Sequence, residues 1–433
     1  MKYVPSLLVF LAFLTWVMPE KSFAQGGMGH IVEHIEIRGN EKTRESIILK
    51  ALPVKQGHRL LQGDLARCQV VLERLNMFRT VFVNVKPGTQ DSTAILIVYV
   101  QEKRFGDLGV SLEYTELNGF GLAADAYHVN LRGQGKTMGA VYGYGQRFKH
   151  WGFHYTDPFL GGTNQSLHFQ ITGSSADRDL YRNPDPLVRG RYDLERIGAS
   201  LGFGQPSPLR AYRLIMKYAF EAIQVGAFQK PTLLPYGDLF ANEIKNAVGR
   251  ETLSFFTLEF RKESATAPWG SKPGFDLGIR LDVSTKTLGS VAHFLRFRTE
   301  IYRHFEIHPG QVFSIGGRAG SIWGTPPFYE RFYLDSENQL RGVDRRDIGP
   351  EGGTHFFIAE ALYSVQIKPI GRVYAFGESG GVRRPIGGNS QKDTDVSAGI
   401  GLLLFNRIDI SFGISTGTLI VKSHRFGGIQ IGL

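Results

Sequence analysis

Arg341 is the residue whose chemistry most constrains this chain. It sits in the stretch Gln339-Leu340-Arg341-Gly342-Val343-Asp344-Arg345-Arg346, and two carboxylates, Glu360 and Glu378, follow on the next two candidate strands. A guanidinium carries five donors in a rigid fork and cannot shed its charge, so away from bulk water it must find carboxylates. Gly342 beside it lets the loop backbone approach a wall that a side chain would block. The pattern reads as a loop docked inside a β-barrel. The competing reading is a solvated loop that happens to contain Arg-Gly, and these residues alone do not separate the two.

Motifs that would announce catalysis fail on context. Gly413-Ile414-Ser415-Thr416-Gly417 spells the G-x-S-x-G of a nucleophile elbow. That elbow needs a strand-to-helix turn and an acid and a histidine downstream in order. No helical pattern follows, and the later His424 has no Asp before it. Gly135-Lys136-Thr137 resembles the end of a phosphate-binding loop, but Asn130 stands where the first glycine is required and no helix follows. Gly119-x-Gly121 is an isolated pair. The 12 histidines are scattered without paired ligand spacing. No catalytic, cofactor-binding or metal-ligating residue is therefore assigned, and the expectation is a protein that is not an enzyme and needs no cofactor.

The elements that must position Arg341 begin after an export signal. Lys2 gives a basic start, Val4 to Met18 is an apolar run broken only by Pro5, Ser6 and Thr15, and Ser22-Phe23-Ala24 supplies small residues at the cleavage site. Residues 1–24 read as a signal peptide, and the mature chain is expected to begin at Gln25. The run is shorter than the about 20 residues a membrane helix needs, and no later segment comes close. Fifty-three Gly, 31 Phe and 17 Tyr suit a β-rich protein with tight turns and aromatic girdles. The formal charge of +10 suggests a nucleic-acid partner only if Lys and Arg cluster on a helix or motif, and they do not. The charge suits anionic lipid head groups or a charged lumen instead. The lone Cys68 can form no intramolecular disulfide. It shares a helical apolar face with Leu61, Leu65, Leu72 and Leu75, which marks a buried hydrophobe.

Residues 25–103 mix helix and strand. Ile31 to Arg38 reads as a strand closed by Gly39-Asn40, and Thr43 can cap a helix carrying Ile47, Ile48 and Leu52. Leu61 to Asn76 reads as a second, amphipathic helix that buries Leu65 and Leu72 against a sheet. Val81 to Val85 and Ile95 to Val100 follow as strands around Pro87-Gly88. The order β-α-α-β-β is enough for one small core. From about Arg104 the period changes to two. Phe275, Leu277, Ile279, Leu281 and Val283 alternate with polar residues, and Leu295, Phe297 and Ile301 leave Arg296, Arg298 and Glu300 on the other face. In a soluble sandwich the apolar face is the core, whereas in a membrane barrel it faces lipid and the charged face lines the lumen. At ~20 residues per strand and connection, residues 104–433 give roughly 16 strands.

Together these words resemble the BamA-like outer-membrane assembly superfamily. Ile35-Glu36-Ile37-Arg38-Gly39-Asn40, Leu75-Asn76-Met77-Phe78 and Val98-Tyr99-Val100-Gln101-Glu102-Lys103 resemble the family's POTRA domain. Asn130-Leu131-Arg132-Gly133-Gln134-Gly135 and Tyr155-Thr156-Asp157-Pro158-Phe159 are similar to its first barrel strands and turn. Phe328-Tyr329-Glu330-Arg331-Phe332-Tyr333 leads into Leu340-Arg341-Gly342, the family's loop motif, and Glu378 stands at its acidic strand position. The resemblance covers nearly all of residues 25–433. Four departures stand out. The sequence holds one POTRA-like unit, Val343 replaces the usual aromatic, Glu378 replaces the usual Asp, and Leu433 replaces a terminal Phe. Gly428-x-x-Ile431-x-Leu433 nevertheless keeps the pattern of a barrel-targeting strand. The departures leave the fold intact and argue against the role of central assembly machine.

The fold this implies is mainly β. It is a roughly 16-stranded antiparallel transmembrane β-barrel preceded by one small α+β POTRA domain. The resemblance implies an outer-membrane assembly, insertion or translocation factor of a Gram-negative bacterium with the POTRA domain in the periplasm. Its partners are then outer-membrane lipid, unfolded client proteins and accessory periplasmic or lipoprotein factors, with no nucleic acid. Leu340, Arg341, Gly342, Val343, Glu360 and Glu378 are the expected lumen lock. Gly427, Gly428, Ile431, Gly432 and Leu433 are the expected terminal strand, where glycine weakens pairing. Two rivals stay open: a two-partner-type secretion channel for one substrate, and a passive or structural barrel.

Overall fold

A computed structural model of the chain describes residues 29–115, 119–163, 165–180, 190–205, 212–227, 243–244, 246–262, 274–334, 340–341, 351–368, 371–386, 389–404, 408–415, 418–425 and 429–432. The signal expected at 1–24 lies outside them.

The N-terminal segment follows the order β1 (Ile31–Arg38), α1 (Glu45–Ala51), α2 (Asp64–Arg74), β2 (Phe78–Pro87) and β3 (Thr93–Glu102). The sheet order is β1-β3-β2, with β1 parallel and β2 antiparallel to β3. A parallel pair needs a long crossover, and the two helices supply part of it. Val32, Ile48, Leu52, Cys68, Leu72, Leu96 and Val98 form its core, all at most 1% exposed.

Three expectations need correction here. The second helix begins at Asp64 because Gly63 takes a left-handed φ of 87°, so Leu61 precedes it and is 60% exposed. Leu65 is only partly buried at the edge of the core, while Leu72 is fully buried. Thr43 does not cap α1, whose N-cap is Arg44 without a side-chain cap bond. Instead the Thr43 amide donates to Glu102 Oε1 at 2.7 Å, and its hydroxyl accepts from Asn130 Nδ2 at 2.8 Å.

The rest is one meandering antiparallel sheet. Its strands are β4 (Gly106–Thr115), β5 (Gly119–Leu131), β6 (Lys136–Gly145), β7 (Phe148–Asp157), β8 (Ser166–Leu180) and β9 (Gly190–Gly204). Then come β10 (Tyr212–Val225), β11 (Gly249–Lys262), β12 (Gly274–Ser284), β13 (His293–His308), β14 (Gln311–Thr325) and β15 (His355–Ile367). The last are β16 (Gly371–Ile386), β17 (Asn389–Leu404), β18 (Ile408–Ser415), β19 (Thr418–Arg425) and β20 (Ile429–Gly432). Each strand from β4 to β18 pairs antiparallel with the next, and β20 pairs antiparallel with β4, so the sheet returns to its start.

Burial is inverted relative to a soluble core. On β12, Ile279 is 37% exposed while Asp282 is fully buried. Apolar side chains line the outside, among them Ile197, Phe220, Phe256 and Trp323. The interior holds charges and a second apolar cluster, in which Phe328, Tyr329, Phe332, Leu334 and Leu340 pack on wall residues such as Tyr192, Leu253, Phe294 and Ile358. The segment after β14 thus folds back into the barrel instead of standing in solvent.

Candidate functional site: the loop anchored in the lumen

Two wall carboxylates create the demand that Arg341 meets. Glu360 on β15 and Glu378 on β16 are directly opposite in register. Like charges so placed repel. The Arg341 amide donates to Glu378 Oε2 at 2.6 Å, and its Nη1 donates to Glu378 Oε1. The same Nη1 lies 3.6 Å from Glu360 Oε2. The guanidinium also rests 5.3 Å from the Phe376 ring centroid and 5.8 Å from that of Tyr374. Arg341 is 8% exposed and Glu378 3%.

Leu340 brings the loop into range. It is 1% exposed and lies over Gly380 of β16, where a Cβ would come within 3.0 Å of both its methyl carbons. A glycine in the wall is what permits this approach. Structure therefore brings Leu340, Arg341, Glu360 and Glu378 together. Gly342 and Val343 lie outside the described residues.

A second anchor went unassigned in the sequence. Glu330, 5% exposed, accepts from Arg196 Nη1 at 2.7 Å and from Arg296 Nη1 at 2.6 Å. Arg196 Nη2 also donates to the Tyr329 carbonyl at 2.8 Å, and the Tyr329 hydroxyl donates to Glu251. Phe328 meets Tyr192 edge-on at 5.4 Å. The two anchors have opposite polarity, since Glu330 brings an acid to wall arginines and Arg341 brings a cation to wall acids. The signal available for Glu330 was an acid inside an aromatic run preceded by Pro326-Pro327.

The third feature is the meeting of the chain's two regions. The turn after β5 has left-handed φ at Asn130 (70°), Arg132 (54°), Gly133 (72°) and Gly135 (70°). Asn130 Oδ1 accepts from the Gly135 amide at 2.8 Å, fixing the turn. The Arg44 amide donates to the Gly133 carbonyl at 3.0 Å. Phe105 and Phe159 sit in the same apolar core as Leu72 and Met77.

Of the expected terminal strand, Ile431 pairs with Leu108 and Gly432 with Asp107. Gly427, Gly428 and Leu433 lie outside the described residues. Ser415 ends β18 and pairs with Thr418 of β19, so its surroundings are a hairpin and not a nucleophile elbow. Lys136 forms an ion pair with Asp157 at 3.2 Å. Among the described residues no three His, Cys, Asp or Glu side chains are grouped to hold a metal.

Comparison with known proteins gives a consistent answer. Residues 130–417 match the Omp85 superfamily domain. The chain is 22% identical over 329 residues to the outer membrane protein assembly factor BamA of Nitratidesulfovibrio vulgaris, covering 74% of this chain and 38% of that protein. It is 22% identical over 336 residues to the BamA of Neisseria meningitidis serogroup B, covering 74% and 40%. This chain thus spans less than half the length of these curated relatives. Among solved structures, BamA from Haemophilus ducreyi lacking POTRA domains 1–3 superposes with a TM-score of 0.61 at 17% identity, over 94% of this chain and 86% of that one. CdiB from Escherichia coli gives 0.63 at 11% identity, over 93% and 77%. At such identities the likeness to solved structures is one of fold.

Proposed function

Because this chain belongs to the Omp85 superfamily, we propose that it works in an outer membrane as a protein-assembly or export barrel. In this reading residues 25–103 are a periplasmic POTRA-type module and residues 104–433 are the membrane part. The inverted burial supports the placement. An apolar outer belt of this extent is an aggregation liability in water and a low-energy surface in lipid. Strands β4 to β19 alternate in direction, and β20 runs antiparallel to β4, so β19 and β20 run the same way. We read those two as lengths of one last strand, which makes an even barrel of roughly 16 strands.

The observation that carries an insertion role is the closure. Among the described residues, β20 meets β4 through four pairs, Ile429 to Gly432 on Val110 to Asp107, whereas β4 and β5 share ten. A client strand cannot enter hydrocarbon with bare N–H and C=O groups. A wall that closes through so short a ladder can open and lend its own edge as template, by β-augmentation. Outer-membrane lipid and unfolded client proteins are then its partners, with accessory lipoproteins as further candidates. The filled lumen argues against a passive pore, because Phe328, Phe332 and Leu334 are buried inside it.

Depletion followed by outer-membrane proteomics tests the reading. General loss of barrel proteins supports insertion. Loss of one exported protein points to dedicated secretion, and an unchanged proteome rejects both.

A further inference from the structure

Two half-buried cations on the outer face of the wall, Lys262 and Arg303, have no ion-pair partner among the described residues. Lys262 ends β11, and Arg303 of β13 stands directly opposite Phe275 of β12. Phe256, Leu258, Ile279, Phe305 and Ile307 are exposed on the outside of these strands, and the period of two puts Lys262, Phe275 and Arg303 on the same face. The acids of these strands alternate to the lumen side. Glu259 lies 3.3 Å from Arg213, Glu300 3.0 Å from Arg261, and Asp276 3.1 Å from His304. Glu306 stands opposite Val312, which is 1% exposed.

Both cations lean the same way. β4 starts beside the N-terminal module and direction alternates along the wall, so β11 and β13 end, and β12 begins, at the module's rim. Lys262 pairs with Leu277, yet its Nζ lies 5.5 Å from the ring centroid of Phe275, which is nearer that rim. Arg303 pairs with Phe275, and its Cζ lies 5.6 Å from the centroid of Phe305, again nearer the rim. A long cationic side chain in an apolar belt bends in this manner, with its stem in hydrocarbon and its charge in the head-group layer. Tyr212 stacks on Phe260 at 5.6 Å beside them, so this rim carries the aromatic residues of a membrane interface. Lys136, a cation at the same rim, is by contrast paired with Asp157 at 3.2 Å.

We propose that Lys262, Phe275 and Arg303 seat the anionic head group of a phospholipid in the leaflet on the module's side, an inference that rests on the membrane placement above. Their outer strands are two spacings apart, about 10 Å, a gap that two long side chains close around one head group. The guanidinium fork suits the phosphodiester oxygens, and the ammonium adds a point charge. Two cations with no acid beside them favour a lipid of net negative charge over a zwitterionic one, whose own ammonium repels them. Each cation at an anionic membrane surface contributes about fivefold in affinity.

Native mass spectrometry of the full chain in detergent micelles tests this, with phosphatidylglycerol and, separately, phosphatidylcholine as titrants. One phosphatidylglycerol should bind more tightly than phosphatidylcholine. Lys262→Gln and Arg303→Gln should each weaken it about fivefold, and the double variant should weaken it by more than either. Lys262→Arg keeps the charge and should bind as the parent does. Lys149→Gln is the control, because it removes an exposed cation that lies 5.4 Å from the Tyr144 ring centroid at the opposite rim. It should leave binding unchanged. No preference for phosphatidylglycerol, equal affinity in the folded double variant, or an equal loss in Lys149→Gln overturns the proposal. Should the double variant fail to migrate as a heat-modifiable barrel, the two single variants decide on the same criterion. Flotation with phosphatidylcholine vesicles separates this from failure of the membrane reading. A chain left in the aqueous fraction sinks both, whereas one that enters the bilayer and shows no preference sinks only the head-group seat.

Discussion

Both carboxylate oxygens of Glu378 are held by Arg341, one by its backbone N–H at 2.6 Å and the other by its guanidinium. The loop is thus tied by main chain as well as side chain, not by the two-nitrogen guanidinium fork expected of a free arginine. Arg341→Ala should keep the amide contact and lose the charge, leaving Glu360 and Glu378 face to face. Breaking a buried pair costs roughly 3–5 kcal/mol, and lumen water softens that. The expected outcome is a barrel that still migrates heat-modifiably on gels but a loop that proteases cut faster. Lysine should restore protection in part, since it keeps the charge but not the planar group that lies over Phe376 and Tyr374. Unchanged protease resistance in Arg341→Ala would end the lock idea.

Glu330 should matter more for folding than Arg341. Its removal takes one of two carboxylate partners from each of two half-buried arginines, leaving Arg196 with Glu221 and Arg296 with Asp282, in the middle of the packed limb. Glu330→Ala should therefore lower the temperature at which the heat-modifiable form is lost by more than Arg341→Ala does, with Glu330→Gln between them. Equal melting of the two alanine variants would place the weight of the loop elsewhere.

The contrast between these anchors shows what was readable before the fold. Arg341, Glu360 and Glu378 were legible as candidates because a permanent charge away from water needs acids and two follow on successive strands, but only the burial of Arg341 decides against a solvated loop. The wall partners of Glu330 were not. Arg196 and Arg296 lie 134 and 34 residues from it, and every charge on a strand's polar face looks alike until the limb is placed. The period-two alternation of β12 showed a strand but not which face meets water. Burial of Asp282 and exposure of Ile279 answer that. Leu61 was misplaced because the apolar spacing ran through Gly63, whose φ of 87° keeps the helix from starting before Asp64. Thr43 was read as a cap because capping is local, whereas its partner Asn130 is 87 residues away.

Leu72 and Leu65 should now separate in cost. Leu72 is wholly buried, and Leu65 sits at the margin of the same core. Leu72→Ala should destabilise the N-terminal module by about 2–5 kcal/mol and Leu65→Ala by clearly less. Hydrogen exchange of the amides in β3 of the full chain measures both. Equal protection in the two variants would refute the assignment of the α2 face.

Cys68 should be chemically silent. Burial pushes its thiol from 9.0 up to about 11, so the neutral form dominates at physiological pH. Because the folded value is raised, the module keeps its full stability below the ordinary thiol range and loses some as pH climbs towards about 11. Iodoacetamide at pH 8 should label Cys68 in urea and leave the native chain unmodified. Rapid labelling of the native chain would show that α2 opens readily.

Gly133 should govern how the N-terminal module sits on the barrel. Its φ is 72°, and a Cβ there would fall 2.2 Å from the Lys42 carbonyl oxygen. That neighbour is backbone and cannot swing aside as a side chain tip can. Gly133→Ala thus carries the roughly 1–2 kcal/mol penalty of a left-handed residue and a collision across the joint. Gly161→Ala supplies the control, because Gly161 has a φ of 58° with nothing within 4 Å of its would-be Cβ. Both variants carry the conformational penalty, and only one meets the module. Amides of Thr43 and Arg44, which donate to Glu102 and to the Gly133 carbonyl, should exchange faster in Gly133→Ala and stay protected in Gly161→Ala. Barrel amides in β12 and β13 should be unaffected in both. If the two variants leave Arg44 equally protected, the Gly133 carbonyl does not hold the module, and the joint depends on the Asn130–Thr43 bond and the packing of Phe105 and Phe159.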